Sequence, residues 1–582
     1  MKKLRNIIPM LLFPIIILYL FEWYTHNPFT TMKIRIQLLN IVLFELIMAL
    51  LLFLFGKLKT ALRCQTILFM IIGLANYYVL EFRSAPIMPW DILSIGTAAS
   101  VANNFKYTLS KETVFVLIGF VILILLESKA TLELKKDWRI RVGGVLASFA
   151  LLWGFTAMLH QDSTVARFKL YDKLFTPTVM SKRDGTAVAF LMELKYIVVE
   201  KPDGYNKEDA AALLASYDTG DTESAAHTPN IIVIMNEAFS DLSVLGDFET
   251  NEDYMPFLHS LMQEGTPNTI SGHLNVSVLG GNTANTEFEF LTGNTMAFLP
   301  QGSVAYQQYV KSNDYSIATY LKSKGYDTIA MHPYNASGWD RDKVYPLLGF
   351  DTFYSLKDWV NPVKIRKYVS DQSCYDKIIE LYEQKDANTP FFLFNVTMQN
   401  HSSYSEEYDN FHPDITVEGT SSKILPNYLS LIKLSDQALC NLIEYFSKAD
   451  EDTVIVFFGD HQPSNSVAAP VWKLNGRSGD SLTEEEEARR YKVPFIIWAN
   501  YDIEAASNVE TSANYLGGHV LRAAGLPLYD YRNYLSQLEG QYPVLTAIRA
   551  ENAQGISTPV KDVKSTLQDY TTLQYYNIFS QK

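Results

Sequence analysis

The chain is 582 residues long, 48% hydrophobic, and carries a formal net charge of −14. Its length exceeds one ordinary hydrophobic core, which implies two or more domains. Net acidity argues against nucleic acid as a partner, and three cysteines are too few for a disulfide framework.

Apolar residues cluster in the first 160 positions, as runs over 6–24, 36–56, 64–82, 113–126 and 140–159. All but the shorter fourth run match the roughly 20 residues that cross about 30 Å of hydrocarbon as a helix. Five membrane helices are expected. Pro9 and Pro14 interrupt the first run, and Phe21-Glu22-Trp23-Tyr24 lacks the small residues of a cleavage site, so this segment is expected to stay as an anchor. Lys and Arg on alternate loops number eleven (Lys2, Lys3, Arg5, Lys57, Lys59, Arg63, Lys129, Lys135, Lys136, Arg139, Arg141) against five (Lys33, Arg35, Arg83, Lys106, Lys111). The positive-inside bias then puts the N-terminus in the cytoplasm and everything beyond His160 outside, as a multi-pass protein of the cell membrane. Residues 1–160 hold 16 basic and 8 acidic side chains, and the remainder holds 33 and 55, a net −22 that draws divalent cations toward its surface.

Residues 161–228 read as a linker, with an amphipathic helix at Ala187–Val199 and a polar run at Tyr217–Pro229. Over 229–548, strand-like runs alternate with helical patterns such as Met255–Glu264, Ser316–Lys324, Tyr375–Glu383 and Ser430–Lys448. That alternation predicts an α/β domain with a mostly parallel central sheet covered by helices. Residues 549–582 are polar and read as a C-terminal tail on the surface.

The polar residues leaving those strands carry the functional signal. Glu237 follows Asn230–Met235, His332 follows Asp327–Met331, Asn400-His401 comes soon after Phe391–Val396, and Gly459-Asp460-His461 follows Thr453–Phe458. Open α/β sheets place their chemistry at such carboxyl ends. Gly280-Gly281-Asn282-Thr283 adds a hydroxyl at a helix start, where glycines let the backbone approach a ligand and the first N–H groups suit a phosphate. Read alone, Thr283 fits a helix N-cap better than a nucleophile. As a nucleophile it needs a metal or a base. Glu237, Asp460 and His461 offer O, O and N ligands, and the Thr283 oxygen completes a set of four for one divalent cation such as Mn²⁺, Mg²⁺ or Zn²⁺.

Glu237, Gly281-Asn282-Thr283-x-x-x-Glu287-Phe288, His332 with Trp339 and Arg341, Asn400-His401 and Gly459-Asp460-His461 stand in an order and spacing that resemble the lipoteichoic acid synthases. These are membrane-anchored phosphoglycerol transferases of the alkaline phosphatase and sulfatase superfamily, and the five N-terminal apolar runs match that family as well. The resemblance implies a five-helix transmembrane domain joined to an extracellular sulfatase-like catalytic domain. It implies Thr283 as nucleophile, with Glu237, Thr283, Asp460 and His461 as ligands of a metal, Mn²⁺ first. It also implies a glycerol phosphate pocket formed by His332, Trp339, Arg341 and His401. The expected reaction moves glycerol phosphate from phosphatidylglycerol, through a covalent threonine intermediate, to a glycerophosphate-containing or other envelope acceptor such as lipoteichoic acid.

Gln462-Pro463-Ser464 departs from the aromatic and glycine that polymer-building synthases commonly carry there, so the acceptor stays open. Thr283 is also not a Cys in a Cys-x-Pro-x-Arg setting, which counts against a sulfatase with a matured nucleophile. A phosphoethanolamine transferase is the alternative within the fold, disfavoured by the two cysteines outside the membrane runs. A non-catalytic glycerophosphate-binding envelope protein is the alternative outside it.

Overall fold

The computed structural model describes residues 4–580, except 84–85, 93–106, 135–136, 172–176, 197–198, 221–226, 301–302 and 312–314. The chain divides into two compact units, one within residues 1–198 and one over residues 199–582.

In the first unit, helices form at Leu4–Glu22, Ile34–Phe55, Leu58–Arg83, Lys111–Glu127 and Trp138–Leu159. Three of these are long and apolar enough to cross a membrane, at Ile34–Phe55, Leu58–Glu81 and Trp138–Leu159. Asn6–Glu22 is apolar but shorter. Large apolar side chains stand on the outside of this unit, among them Phe115, Leu146, Phe149 and Trp153 at 63–73% exposure. An apolar exterior of that kind is stable only against another apolar medium. The amphipathic stretch after His160 forms a helix at Thr186–Glu193, whose first N–H is capped by the Glu22 carboxylate at 2.9 Å. Of the polar run after Tyr217, residues 221–226 lie outside the described residues.

The second unit is built on strands β1 (Asn230–Asn236), β2 (Thr269–Asn275), β3 (Asp327–His332), β4 (Thr352–Ser355), β5 (Lys364–Ile365), β6 (Tyr368–Val369), β7 (Phe391–Val396), β8 (Thr453–Gly459), β9 (Lys492–Ala499) and β10 (Ala506–Ser512). Eight of them form one sheet in the order β10-β2-β9-β8-β1-β7-β3-β4, with β5 and β6 a separate hairpin. The run from β8 to β4 is parallel, and β9 is antiparallel to both of its neighbours. Alternation along the central strands explains their unbroken apolar sequence. Ile231, Val233, Phe394, Val456 and Phe458 belong to the core on one face, while Ile232, Ile234, Leu393, Ile455 and Phe457 belong to the core on the other. Parallel strands covered by helices on both sides need apolar residues at both parities.

Residues 549–582 correct the expectation of a surface tail. They supply strands at Arg549–Glu551 and Ser557–Pro559 and a helix at Gln568–Tyr575. Tyr570 is fully buried and donates to the Gly293 carbonyl at 2.7 Å. Tyr570, Thr571 and Gln574 are buried, while other polar residues such as Lys561, Asp562, Lys564 and Gln568 remain exposed. Cys374 and Cys440 are both free thiols.

Candidate active site

Parallel strands of one sheet deliver the carboxyl ends of β1, β3, β7 and β8 to one edge, and the residues singled out in the sequence follow those ends. Gly459 explains how two of them meet. A Cβ at this position would lie 1.9 Å from the Phe239 carbonyl oxygen, so only glycine lets the end of β8 run against the chain leaving β1. Asp460 Oδ1 then accepts from the Ala238 N–H at 2.7 Å and from the His461 N–H at 2.8 Å. Ligand atoms of Glu237, Asp460 and His461 all lie within 4.8 Å of one another, and all three residues are buried.

Thr283 is the first residue of the helix Thr283–Thr292, and Asn282, with φ 64°, takes the cap position. The N-cap alternative for Thr283 is thereby removed. Its side chain is near enough to the Asp460 carboxylate to hold that group's pKa down against burial. Thr286, one turn on, donates to the Asp460 backbone carbonyl at 2.8 Å instead.

The electrostatics of this cluster are those of a cation site. Burial above all, and then the charge of Asp460, push the Glu237 carboxyl well above its usual range, with Arg341 acting against them. Burial likewise raises Asp460, opposed by His461 and by the nearby Thr283 side chain. His461 Nδ1 lies 2.9 Å from the Gln462 carbonyl and donates to it, which leaves Nε2 as the ring nitrogen facing Asp460. That nitrogen lies 3.2 Å from Asp460 Oδ2, and neither atom has a hydrogen-bond partner although both are buried. Two buried polar atoms facing each other without a hydrogen bond are costly unless a proton or a cation joins them. Two carboxylates, an imidazole and a hydroxyl fit a hard or borderline divalent ion.

The second group of sequence-derived residues is organised differently. Arg341 is buried against Glu287, with Nε 3.1 Å from Oε1 and Nη2 bonded to the same carboxylate. Tyr345 donates its hydroxyl to Glu287 Oε2 at 2.7 Å. The pair engages Nε and Nη2 and leaves Nη1 outside it. His332, the last residue of β3, is bonded through Nδ1 to the Val396 carbonyl at 3.0 Å. Burial first, then the Arg341 charge, hold its pKa well below the usual imidazole range. Trp339 is half-buried on the core in the turn Gly338–Asp340, at φ 56°. His401 Nδ1 lies 2.9 Å from the Ser402 carbonyl and 3.1 Å from the Tyr368 hydroxyl. Burial lowers its pKa to about 4, against the Ser402 bond and with help from Arg366 and His461. His332 and His401 are therefore neutral, and His401 is near enough to His461 to feel its charge.

The sequence reading missed the residues that hold these in place. Arg366, at the β5–β6 turn, donates to the carbonyls of Gln399, His401 and Ser403, each at 2.7 Å. Behind Glu237, Asn236 donates to Asp371 at 2.7 Å and accepts from Asn400 at 2.9 Å. Only the Asn400-His401 pair within this network was visible beforehand, as polar residues following an apolar strand.

A buried hydroxyl at a helix start and a carboxylate-imidazole cluster at the carboxyl edge of a mostly parallel sheet define the class. The sulfatase family profile matches residues 229–526, just over half of the chain, and the chain belongs to that family. Among its relatives, the putative cyclic beta-1,2-glucan modification protein of Rhizobium meliloti is 27% identical over 460 residues, covering 77% of this chain and 70% of the relative. Lipoteichoic acid synthase 1 of Bacillus subtilis is 26% identical over 280 residues, covering 47% of this chain and 42% of the synthase. The solved Streptococcus pyogenes phosphoglycerol transferase GacH, in complex with sn-glycerol-1-phosphate, shares the fold with a TM-score of 0.52 at 23% identity, covering 65% of this chain and 94% of GacH.

Proposed function

We propose that this chain is a metal-dependent phosphoglycerol transferase of the cell envelope, with Thr283 as its nucleophile. The observation that carries the reading is the facing pair of unpartnered polar atoms, Asp460 Oδ2 and His461 Nε2, beside a hydroxyl at a helix start. Glu237, Asp460, His461 and the Thr283 oxygen would hold a divalent ion, Mn²⁺ first. Such an ion lowers the pKa of a bound hydroxyl and neutralises charge developing on phosphoryl oxygens.

In the first half-reaction Thr283 Oγ forms a bond to the phosphorus of phosphatidylglycerol. The bond from phosphorus to the diacylglycerol oxygen breaks, and the threonine proton ends on that leaving oxygen. In the second, an acceptor hydroxyl attacks the glycerophosphoryl-threonine, restores Thr283 and gives up its proton. His401, neutral and beside the cluster, is placed to relay both protons. Arg341, His332 and Trp339 line the glycerol phosphate pocket, where Arg341 lends positive charge already fixed by Glu287. Five membrane crossings over residues 1–160, with residues 161–228 as a link, would hold a domain beginning at 229 on the outer side, beside its lipid donor.

The names of the synthase and of GacH support glycerol phosphate as the group transferred. The name of the relative covered over 70% of its length supports a glycan as acceptor, alongside a growing glycerophosphate polymer. Incubation of the purified full chain with phosphatidylglycerol carrying a labelled headgroup, with and without Mn²⁺, tests the reading. Labelled glycerophosphate on Thr283 by mass spectrometry, with release of diacylglycerol, is the expected result. Transfer from phosphatidylethanolamine and not from phosphatidylglycerol would overturn it.

A further inference from the structure

The loop after the metal-ligand pair carries a feature that the reaction itself does not require. The backbone carbonyl of Gln462 accepts twice, from His461 Nδ1 at 2.9 Å and from the Gly280 N–H at 3.0 Å. One oxygen thus joins the imidazole that faces Asp460 to the loop Gly280–Asn282 that presents Thr283. The side chain of the same residue fixes where that oxygen sits. Gln462 is fully buried, and its amide donates to the carbonyls of Arg489 and Lys492, both at 2.8 Å. Its own Oε1 accepts from Arg490 Nη1.

Arg490 makes the arrangement specific. It is 1% exposed and, among the described residues, forms no ion pair with a carboxylate. Its Nη2 donates to the Pro463 carbonyl and to Asn465 Oδ1, both at 2.9 Å, and the guanidinium lies over the Trp472 ring. Among the described residues, the hydrogen bonds of this guanidinium all go to residues 462–465, the stretch that leaves Asp460-His461. Burying an arginine without a counter-charge is costly, and here the cost falls on holding one loop.

We propose that Gln462 and Arg490 are positioning residues that lock the metal-ligand loop and the Thr283 loop into one register. They fix the His461 tautomer that leaves Nε2 open to a cation. This rests on the reading of Glu237, Asp460 and His461 as a metal site, and the test separates the two. Partners that orient a ligating imidazole typically change metal affinity about 10- to 100-fold when removed.

The experiment is a Mn²⁺ titration by calorimetry of the purified full chain in lipid nanodiscs, with melting temperatures measured without and with Mn²⁺. Gln462→Leu is expected to weaken Mn²⁺ binding about 10- to 100-fold and to lower kcat, while KM for phosphatidylglycerol stays within about twofold. Arg490→Met should do the same, and Arg490→Lys, which keeps a donor for the loop, should recover part of the affinity. Should Arg490→Met fail to fold, Gln462→Leu and Arg490→Lys carry the test. Mn²⁺ affinity within about threefold of the parent in Gln462→Leu, with only the melting temperature lowered, would make these residues ordinary packing and overturn the proposal. A parent protein that binds no Mn²⁺ overturns the metal-site reading itself, and the proposal with it.

Discussion

The two halves of the site solve opposite problems. At the acidic cluster, Asp460 Oδ2 and His461 Nε2 are buried polar atoms with no hydrogen-bond partner. Arg341, by contrast, has a carboxylate of its own in Glu287, supported by Tyr345. The first half is left incomplete by the protein's own groups, as a site for a cation would be. The second is complete before any ligand arrives, so its charge is aimed in advance. An unsatisfied buried group marks where something binds, and a satisfied one marks what orients it.

The largest expected effect comes from the incomplete half. Asp460→Ala removes a charge that a divalent ion requires, so elemental analysis should find the ion lost and turnover reduced by more than about 10³-fold. Thr283→Ala should abolish diacylglycerol release with the fold intact. Thr286→Ala should keep appreciable turnover, because its hydroxyl is spent on the Asp460 backbone carbonyl. It should instead lower stability by about 1 to 3 kcal/mol, the cost of one buried acceptor left without its donor. An inactive Thr286 variant beside an active Thr283 variant would assign the nucleophile to the wrong hydroxyl and break the comparison outright.

Legibility in the sequence follows the same division. The strands that end in Glu237, His332 and Asp460 are apolar at both parities because both faces are covered, and a polar residue following such a run is conspicuous. Strands β2 and β10 passed unnoticed because they read Thr-Ile-Ser-Gly-His-Leu-Asn and Ala-Ser-Asn-Val-Glu-Thr-Ser, with polar side chains paired near the sheet edge. Gly272 in β2 is required there by the Val509 carbonyl, which a Cβ would meet at 2.0 Å, and nothing local announces that contact. Arg366 and Arg490 were invisible for a related reason. Arg366 donates to three backbone carbonyls, and Arg490 to one backbone carbonyl and two side-chain amide oxygens, all some way off in sequence, and neither kind of partner marks the arginine that will find it. Tyr570 and Gln574 likewise enter the core through hydrogen bonds to Gly293 and Thr295, which a hydropathy pattern does not register.

The completed half is expected to show a loss of stability before a loss of chemistry. Arg341→Ala leaves Glu287 buried without its cation, a change that typically costs about 3 to 5 kcal/mol. Melting should fall accordingly, while Mn²⁺ content stays at that of the parent protein and turnover drops about 10- to 100-fold from the lost charge on the phosphate. Combining Arg341→Met with Glu287→Met removes both charges and should restore much of the stability and none of the turnover. A double variant no more stable than Arg341→Ala would show that the pair does not act as a unit.

The smallest effect sharpens the contrast within a single helix, Thr283–Thr292. Glu287 faces a guanidinium, whereas Glu289, equally buried, is held by neutral donors: the Met296 N–H at 2.7 Å, Ser277 at 2.8 Å and Thr295 at 3.2 Å. Burial outweighs those bonds and raises the Glu289 pKa to about 7. A carboxyl raised in the folded state binds its proton more tightly there than in the unfolded chain. Its contribution to stability is therefore full below about pH 4.5 and is lost as pH rises toward 7, by about 3 kcal/mol. Glu289→Gln cannot ionise and should escape that loss. Melting curves at pH 5 and pH 7 should show the variant gaining on the parent protein as pH rises. A gap that is the same at both values would mean that Glu289 is already ionised at pH 5 and that neutral donors alone suffice to hold its charge.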